Sequence, residues 1–275
     1  MRNIPEPIQR EVRQRCGFGC VFCGLPLYEY DHVADWSLVR EHVAAEITLL
    51  CDTHHREKTN GLLPVEQVRA ANETPYNLRE EVSKPYDLHY NGTECEAIIG
   101  SNHFTMRDQG NGMFMMALVI DGNVMLGFAL QEGHLFLNLL VLDELNETVL
   151  RIHNNQLIYS SSPWDIQLVG RNLVIREAPR QFIIDITFEV PNKIVINRGR
   201  FLCNGVEVFI RPEYTFLVNN SMLYRRNVAI NCPVGLLIGS HPPEIGAAVG
   251  ISGVNRYRYD RREAFRWARR QLKQN

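Results

Sequence analysis

Two short pairs of metal-ligating residues constrain this chain more than any other feature. Cys20 and Cys23 are separated by two residues, and Cys51 and His54 repeat the same spacing. Two intervening residues let both side chains of a pair turn back onto one ion, and three thiols with one imidazole match the tetrahedral set that zinc prefers. The sequence therefore predicts a closed, structural Zn²⁺ site near the N-terminus. The alternative is four unrelated buried residues.

A second group of polar residues lies between these pairs and just after them. Asp31 and His32 are adjacent in a stretch whose neighbours predict a strand, and His55 follows His54 in a segment that we expect to be helical. His55 cannot easily share one ion with its neighbour His54, so Asp31, His32 and His55 together predict a second metal site. If His32 serves as a base and not as a ligand, that site has only two protein ligands, and such an open site suits a hard divalent ion retaining several waters.

These motifs together resemble the HNH endonucleases, the zinc-stapled kind of ββα-metal (His-Me finger) nuclease. The resemblance covers about residues 4–72 and is carried by RCGFGCVFCG at residues 15–24, DHV at 31–33 and LLCDTHHREKT at 49–59. It implies a treble-clef-like ββα module that hydrolyses DNA phosphodiester bonds. It further implies that Asp31 and His55 hold Mg²⁺ or a similar ion, and that His32 takes a proton from the attacking water.

One residue of the family's pattern differs in this chain. The family carries an asparagine shortly before the Leu-Leu-Cys run, where it is thought to brace the loop bearing the base, and Glu46 stands there instead. An ionised carboxylate accepts hydrogen bonds but donates none. His42 lies nearby and could substitute. The difference leaves open an alternative: a zinc-stabilised nucleic-acid-binding protein, or an oligomeric structural protein, whose nuclease centre has decayed.

Composition bounds the partners and the location. The formal net charge of the 275 residues is −2, so any affinity for DNA must come from a local basic patch. Arg10, Arg13 and Arg15 on a predicted N-terminal helix could contact phosphates or form a solvated face.

Zinc-type thiols and scattered further cysteines are typical of the reducing cytoplasm. The N-terminus has no apolar signal core, and no apolar run reaches the roughly 20 residues of a membrane span, so we expect no membrane partner.

Beyond about residue 95, short apolar runs alternate with turn dipeptides. Asp121-Gly122 and Asn204-Gly205, for example, each separate two such runs, which is a strong hairpin signal. Hairpins recurring in this way predict a mainly-β domain, either an antiparallel sandwich or a barrel. Loose similarity between strands leaves a stacked β-solenoid as the alternative.

The sequence thus predicts an α+β chain with four parts. They are an HNH nuclease domain at residues 1–75, a linker at 76–94, a mainly-β domain at 95–255 and a basic C-terminal helix at 256–275. The β-domain would serve recognition, sensing or assembly, and it could form a homo-oligomer. The C-terminal helix carries six Lys or Arg within residues 261–273, which could grip phosphates or form a solvated docking face.

Overall fold

The computed structural model of the protein describes residues 4–34, 42–242 and 245–256. These residues contain four α-helices: α1 (Glu6–Arg15), α2 (Asp52–Thr59), α3 (Val65–Glu73) and α4 (Tyr76–Glu80). They also contain twenty strands, which in chain order are β1 (Glu29–His32), β2 (Ile47–Leu50), β3 (Tyr86–Asp87), β4 (Glu94–Ile99), β5 (Asn102–Arg107), β6 (Met113–Ile120), β7 (Asn123–Gln131), β8 (His134–Leu142), β9 (Thr148–His153), β10 (Gln156–Tyr159), β11 (Asp165–Val169), β12 (Asn172–Ala178), β13 (Gln181–Glu189), β14 (Lys193–Cys203), β15 (Val206–Arg211), β16 (Tyr214–Leu217), β17 (Met222–Tyr224), β18 (Val228–Ile230), β19 (Val234–Ile238) and β20 (Val249–Ile251). Beyond Arg256, the predicted C-terminal helix lies outside the described residues. No helix in the described ranges is both long and apolar enough to cross a membrane.

The chain forms two compact units, and each is discontinuous in sequence. Unit 1 comprises Met1–Asp87 and Leu157–Ile183, and unit 2 comprises Leu88–Gln156 and Ile184–Asn275. This division differs from the predicted boundaries in two places. Part of the predicted linker is the helix α4, whose Asn77 is fully buried. The segment 157–183, which we predicted as part of the β-domain, packs with the N-terminal residues instead.

The core of unit 1 is a strand–strand–helix arrangement. Strands β1 and β2 pair antiparallel, with Asp31 opposite Thr48 and His32 opposite Ile47. All four residues of β2 are buried, and α2 begins immediately after the following Cys51. One apolar cluster fills the space beneath the hairpin; its buried members are Val12, Cys16, Cys20, Val21, Ile47, Leu49 and Leu50, among others. This apolar cluster supports β1, β2 and the start of α2.

A buried ionic cluster attaches the segment 157–183 to this core. Asp165 at the start of β11 is 0% exposed, and Arg13 of α1 is 2% exposed. Arg13 Nε donates to Asp165 Oδ1 at 2.8 Å, and Arg176 Nη1 donates to Asp165 Oδ2 at 3.0 Å. Arg13 Nη1 also donates to the Tyr30 hydroxyl of β1 at 2.8 Å. Because Arg13 is buried and its guanidinium is hydrogen-bonded inside unit 1, it cannot contact DNA phosphates.

Unit 2 contains two sheets built mostly from antiparallel strands. In one, β6, β7, β8 and β9 follow each other as neighbours, and in the other β13 to β17 do so. The predicted turn Asp121-Gly122 joins β6 to β7, and Asn204-Gly205 joins β14 to β15. All four residues have positive φ, between 50° and 76°, as a type I′ hairpin turn requires. The prediction of a mainly-β region with these hairpins is confirmed.

The described part of unit 2 also contains parallel pairings, which the antiparallel prediction did not include. Strand β4 pairs with β14, β5 with β18, β6 with β19, and β19 with β20. Most of these partners are distant in sequence, so no short turn signals them. One sheet is an open path of strands, and the other is a path from β11 to β17 with β4, β5 and β18 branching from β14. Neither closes into a barrel within the described residues.

Candidate metal centres

The loop before β1 is shaped to present two thiols. Gly24 N–H donates to Cys20 O at 2.7 Å, and Cys20 N–H donates to Leu25 O at 3.0 Å, which closes a tight turn around residues 20–25. Gly24 has φ of +72°, and a Cβ atom there would overlap the side chains of Tyr76 and Asn77. Glycine is thus required at this point of the turn for both its conformation and its size.

The four predicted zinc ligands meet at one point. Cys51 caps α2, and His54 lies in its first turn, so this pair faces the Cys20–Cys23 turn. His54 Nδ1 lies 3.3 Å from Cys20 Sγ and 3.2 Å from Cys51 Sγ, and Cys23 Sγ lies 3.8 Å from Cys51 Sγ. Zn–S bonds of about 2.3 Å in a tetrahedron place two sulfurs roughly 3.8 Å apart. All four ligand atoms lie within 4.8 Å of one another, and this Cys₃His cluster could hold a metal ion.

The surroundings of the cluster are largely apolar. Cys20 is fully buried, and the His54 ring stacks on Phe22 with centroids 4.9 Å apart. A hydrogen bond with Cys23, together with burial, raises the pKa of Cys20, and the same hydrogen bond lowers the pKa of Cys23. A cation in the cluster would supply the positive charge that three thiolates need.

The side chains of Asp31, on the β1–β2 hairpin, and His55, on the helix α2, face each other. Asp31 is on β1, while His55 and Lys58 lie three positions apart on one side of α2. Asp31 Oδ1 lies 3.8 Å from His55 Nε2. Lys58 Nζ donates to Asp31 Oδ2 at 2.6 Å and to the main-chain oxygen of His32 at 2.5 Å. The sequence predicted the first pair, and it missed the contacts of Lys58.

Glu29 is a further acidic residue of this group that the sequence reasoning missed. It precedes Asp31 by two positions on β1, so both side chains lie on one face of the strand. Glu29 Oε2 lies 3.6 Å from His55 Nδ1, which is an electrostatic contact slightly longer than a hydrogen bond. The two nitrogens of His55 therefore face two different carboxylates. The alternation of side chains along a strand was the signal that could have found Glu29.

His32 occupies the end of β1 beside another histidine. Its ring stacks on that of His42, with centroids 5.5 Å apart and an interplanar angle of 30°. Burial and the proximity of His42 lower the pKa of His32, and Asp31 opposes this change. A histidine with a lowered pKa is neutral at pH 7 and can accept a proton.

The carboxylate at the position of the family's asparagine takes part in a different interaction. Both oxygens of Glu46 face Arg69 of α3, each at 3.3 Å. The main chain of Glu46 nevertheless supports the strand that carries His32, because Val33 N–H donates to Glu46 O at 2.9 Å. Arg15 holds the same segment by donating to Ala44 O at 2.8 Å and to the carbonyl of Ile47. Arg15 is thus also used within the fold.

Comparisons with known proteins gave no match: no protein-family model, no curated protein and no solved structure is similar to this chain. The case for a function therefore depends on the geometry of unit 1 and on the chemistry of its side chains.

Proposed function

We propose that the protein is a metal-dependent DNA endonuclease of the HNH type, a phosphodiester hydrolase whose chemistry resides in unit 1. One observation carries the proposal. The β1–β2 hairpin is followed directly by the helix α2, and a Cys₃His cluster lies at the start of that helix. On the same helix, His55 Nε2 lies 3.8 Å from the Asp31 carboxylate of the hairpin. A cluster that only stabilised the fold would not require an acid–histidine pair beside it.

In this proposal Cys20, Cys23, Cys51 and His54 bind a structural Zn²⁺. The sulfur–sulfur distance of 3.8 Å supports zinc, as does the closed set of four ligands. In small domains such an ion contributes on the order of 10 kcal/mol to folding. Thiolate ligands persist in a reducing compartment, and all seven cysteines, each within the described residues, are free of disulfide bonds, in keeping with a cytoplasmic protein.

Asp31 and His55 would hold the catalytic divalent ion, for which Mg²⁺ is suited. Such an ion stabilises the charge that develops on the phosphate and on the leaving oxygen. The chain's own contribution is to orient the two ligands and to accept a proton. His55 presents Nε2 toward Asp31 when its proton is on Nδ1 toward Glu29, and His32, neutral at pH 7, takes the proton of the attacking water.

Plasmid nicking by the purified full-length protein tests this function. His32→Ala should lower the nicking rate by about 10²–10⁴-fold at unchanged zinc content, because it removes the general base. His134→Ala, which changes an exposed histidine at the start of β8 in unit 2, is the matched control and should nick like the parent. If His32→Ala cuts as well as the parent, or if the parent does not cut with any divalent ion, the proposed function is wrong.

A second candidate is a zinc-stabilised DNA-binding protein with a decayed nuclease centre. It is favoured by the pairing of Glu46 with Arg69, which leaves no side-chain donor at the position of the family's asparagine. It predicts DNA binding in a mobility-shift assay without cleavage. An assembly role for unit 2 is a third possibility, and light scattering after size exclusion would reveal a homo-oligomer.

A further inference from the structure

Lys58 is held by two strong contacts at the proposed catalytic centre. Its ammonium group lies 2.6 Å from Asp31 Oδ2 and 2.5 Å from the main-chain oxygen of His32. The side chain is only 15% exposed, and that of Asp31 is 18% exposed. A long lysine side chain is rarely ordered at this level of burial without a specific partner. Here it has two partners, and they belong to the two adjacent residues that the proposed mechanism uses.

The contact makes the two oxygens of Asp31 different from each other. Oδ2 is taken by the ammonium, whereas Oδ1 points toward His55 Nε2 at 3.8 Å. An ion bound between Asp31 and His55 would therefore meet a carboxylate that has a single available oxygen and a fixed direction. The second contact ties the carbonyl of His32 to α2, so the residue that carries the proposed base is joined to the helix that carries His55.

The contacts of Lys58 order the proposed ion site, but its positive charge opposes the binding of a cation there. The carboxylate of Asp31 and the ammonium of Lys58 cancel, an imidazole ligand is uncharged, and the other carboxylate of the group, Glu29, lies at the opposite nitrogen of His55. The pair of ligands thus offers little net attraction to a divalent ion while Lys58 is present. Lys58 therefore orders the two ligands and at the same time lowers their affinity for the ion.

We propose that Lys58 is a positioning residue of the nuclease centre. It directs Asp31 Oδ1 toward the ion and fixes the strand end bearing His32, and in doing so it weakens the binding of the divalent ion. This inference rests on the proposed function for the identity of the site, but its main readout is ion binding without DNA.

The test compares Mn²⁺ binding by zinc-loaded, full-length variants, measured by calorimetry in the absence of DNA. Lys58→Met removes the charge and both contacts, and it should bind Mn²⁺ on the order of tenfold more tightly because a like charge beside the ion is gone. Lys58→Gln is a second neutral variant and should shift in the same direction. Lys58→Arg keeps the charge and should stay within about threefold of the parent.

Arg56→Met is the matched control, because it removes an exposed cation from the same helix. It should leave Mn²⁺ affinity near that of the parent, since a solvated charge is screened. In nicking assays at saturating Mn²⁺, Lys58→Met should be slower by about 10²-fold because the base is misplaced, and Lys58→Arg should recover most of the rate.

The outcomes separate this proposal from the proposed function. Tighter Mn²⁺ binding by both neutral variants, with slower nicking and rescue by Lys58→Arg, supports it. Tighter binding in a protein that never cuts DNA supports the charge assignment of Lys58 and refutes the nuclease. Unchanged or weaker binding, an equal effect of Arg56→Met, or full nicking by Lys58→Met overturns the proposal, as does a parent protein that binds no Mn²⁺.

Discussion

Asp165→Asn should destabilise unit 1 far more than a change of one oxygen to nitrogen suggests. The carboxylate is 0% exposed and accepts hydrogen bonds from Arg13 Nε at 2.8 Å, Arg13 Nη2 at 3.1 Å and Arg176 Nη1 at 3.0 Å. The amide would place a donor against these donors and leave the guanidinium of Arg13, which is 2% exposed, with only the half-exposed carboxylate of Glu6 as a counter-charge. Breaking one partner of a buried ion pair costs about 3–5 kcal/mol. We expect the loss for Asp165→Asn to fall in this range.

Urea unfolding of the full-length protein measures this loss. We would follow release of the proposed zinc with a colorimetric chelator, because all four of its proposed ligands lie in unit 1. With a denaturant slope of about 2 kcal/mol/M, a loss of about 4 kcal/mol lowers the midpoint of zinc release by about 2 M. Asp87→Asn, which changes an exposed carboxylate in the same unit, is the control and should shift the midpoint by less than about 0.3 M. If Asp165→Asn behaves like this control, the ion cluster does not stabilise unit 1 and our account of the segment 157–183 fails.

The remaining predictions concern the two metal centres. Cys20→Ser should lose its zinc by elemental analysis while the strand signal of unit 2 in circular dichroism persists; a fully zinc-loaded Cys20→Ser protein would contradict the structural site. His55→Ala should abolish plasmid nicking, with partial rescue at high Mg²⁺ or Mn²⁺, and Asp31→Ala should resemble it; normal nicking by either variant would exclude that residue as a ligand. Glu29→Gln should weaken Mn²⁺ binding by about tenfold or more, because His55 loses the carboxylate that orients its ring, whereas Glu66→Gln on an exposed helix position should not; equal affinities would leave Glu29 without a role.

The sequence predicted those parts of the fold that depend on neighbouring residues. The Cys20–Cys23 turn and the hairpin turn at Asp121-Gly122 are each encoded within a few positions. Their glycines and ligand spacings leave few conformations. The convergence of Cys20, Cys23, Cys51 and His54 follows from two such local pairs meeting in one core.

Long-range contacts were beyond the same reasoning. Arg13 and Asp165 are 152 residues apart, and nothing near either residue marks them as partners. An arginine on an amphipathic helix has the same sequence pattern whether it is solvated or buried against a carboxylate. The parallel pairings of β4 with β14 and of β6 with β19 were missed for the same reason, since their register is set by packing rather than by a turn. The spacing of Lys58 and His55 already predicted that both lie on one face of a helix, but the contact of Lys58 with Asp31 and the position of Glu29 became visible only when α2 and β1 were placed against each other.

The interrupted sequence of unit 1 has a consequence for protein synthesis. Residues 1–87 carry every proposed metal ligand, but the unit also requires residues 157–183. A ribosome adds about 5–20 residues per second, so the 96 residues from position 87 to position 183 take roughly 5–20 s to make. During this interval Arg13 lacks its buried counter-ion Asp165, although every proposed metal ligand has already been synthesised. Unit 1 can therefore complete its buried ion cluster only after the first segment of unit 2, residues 88–156, has been synthesised.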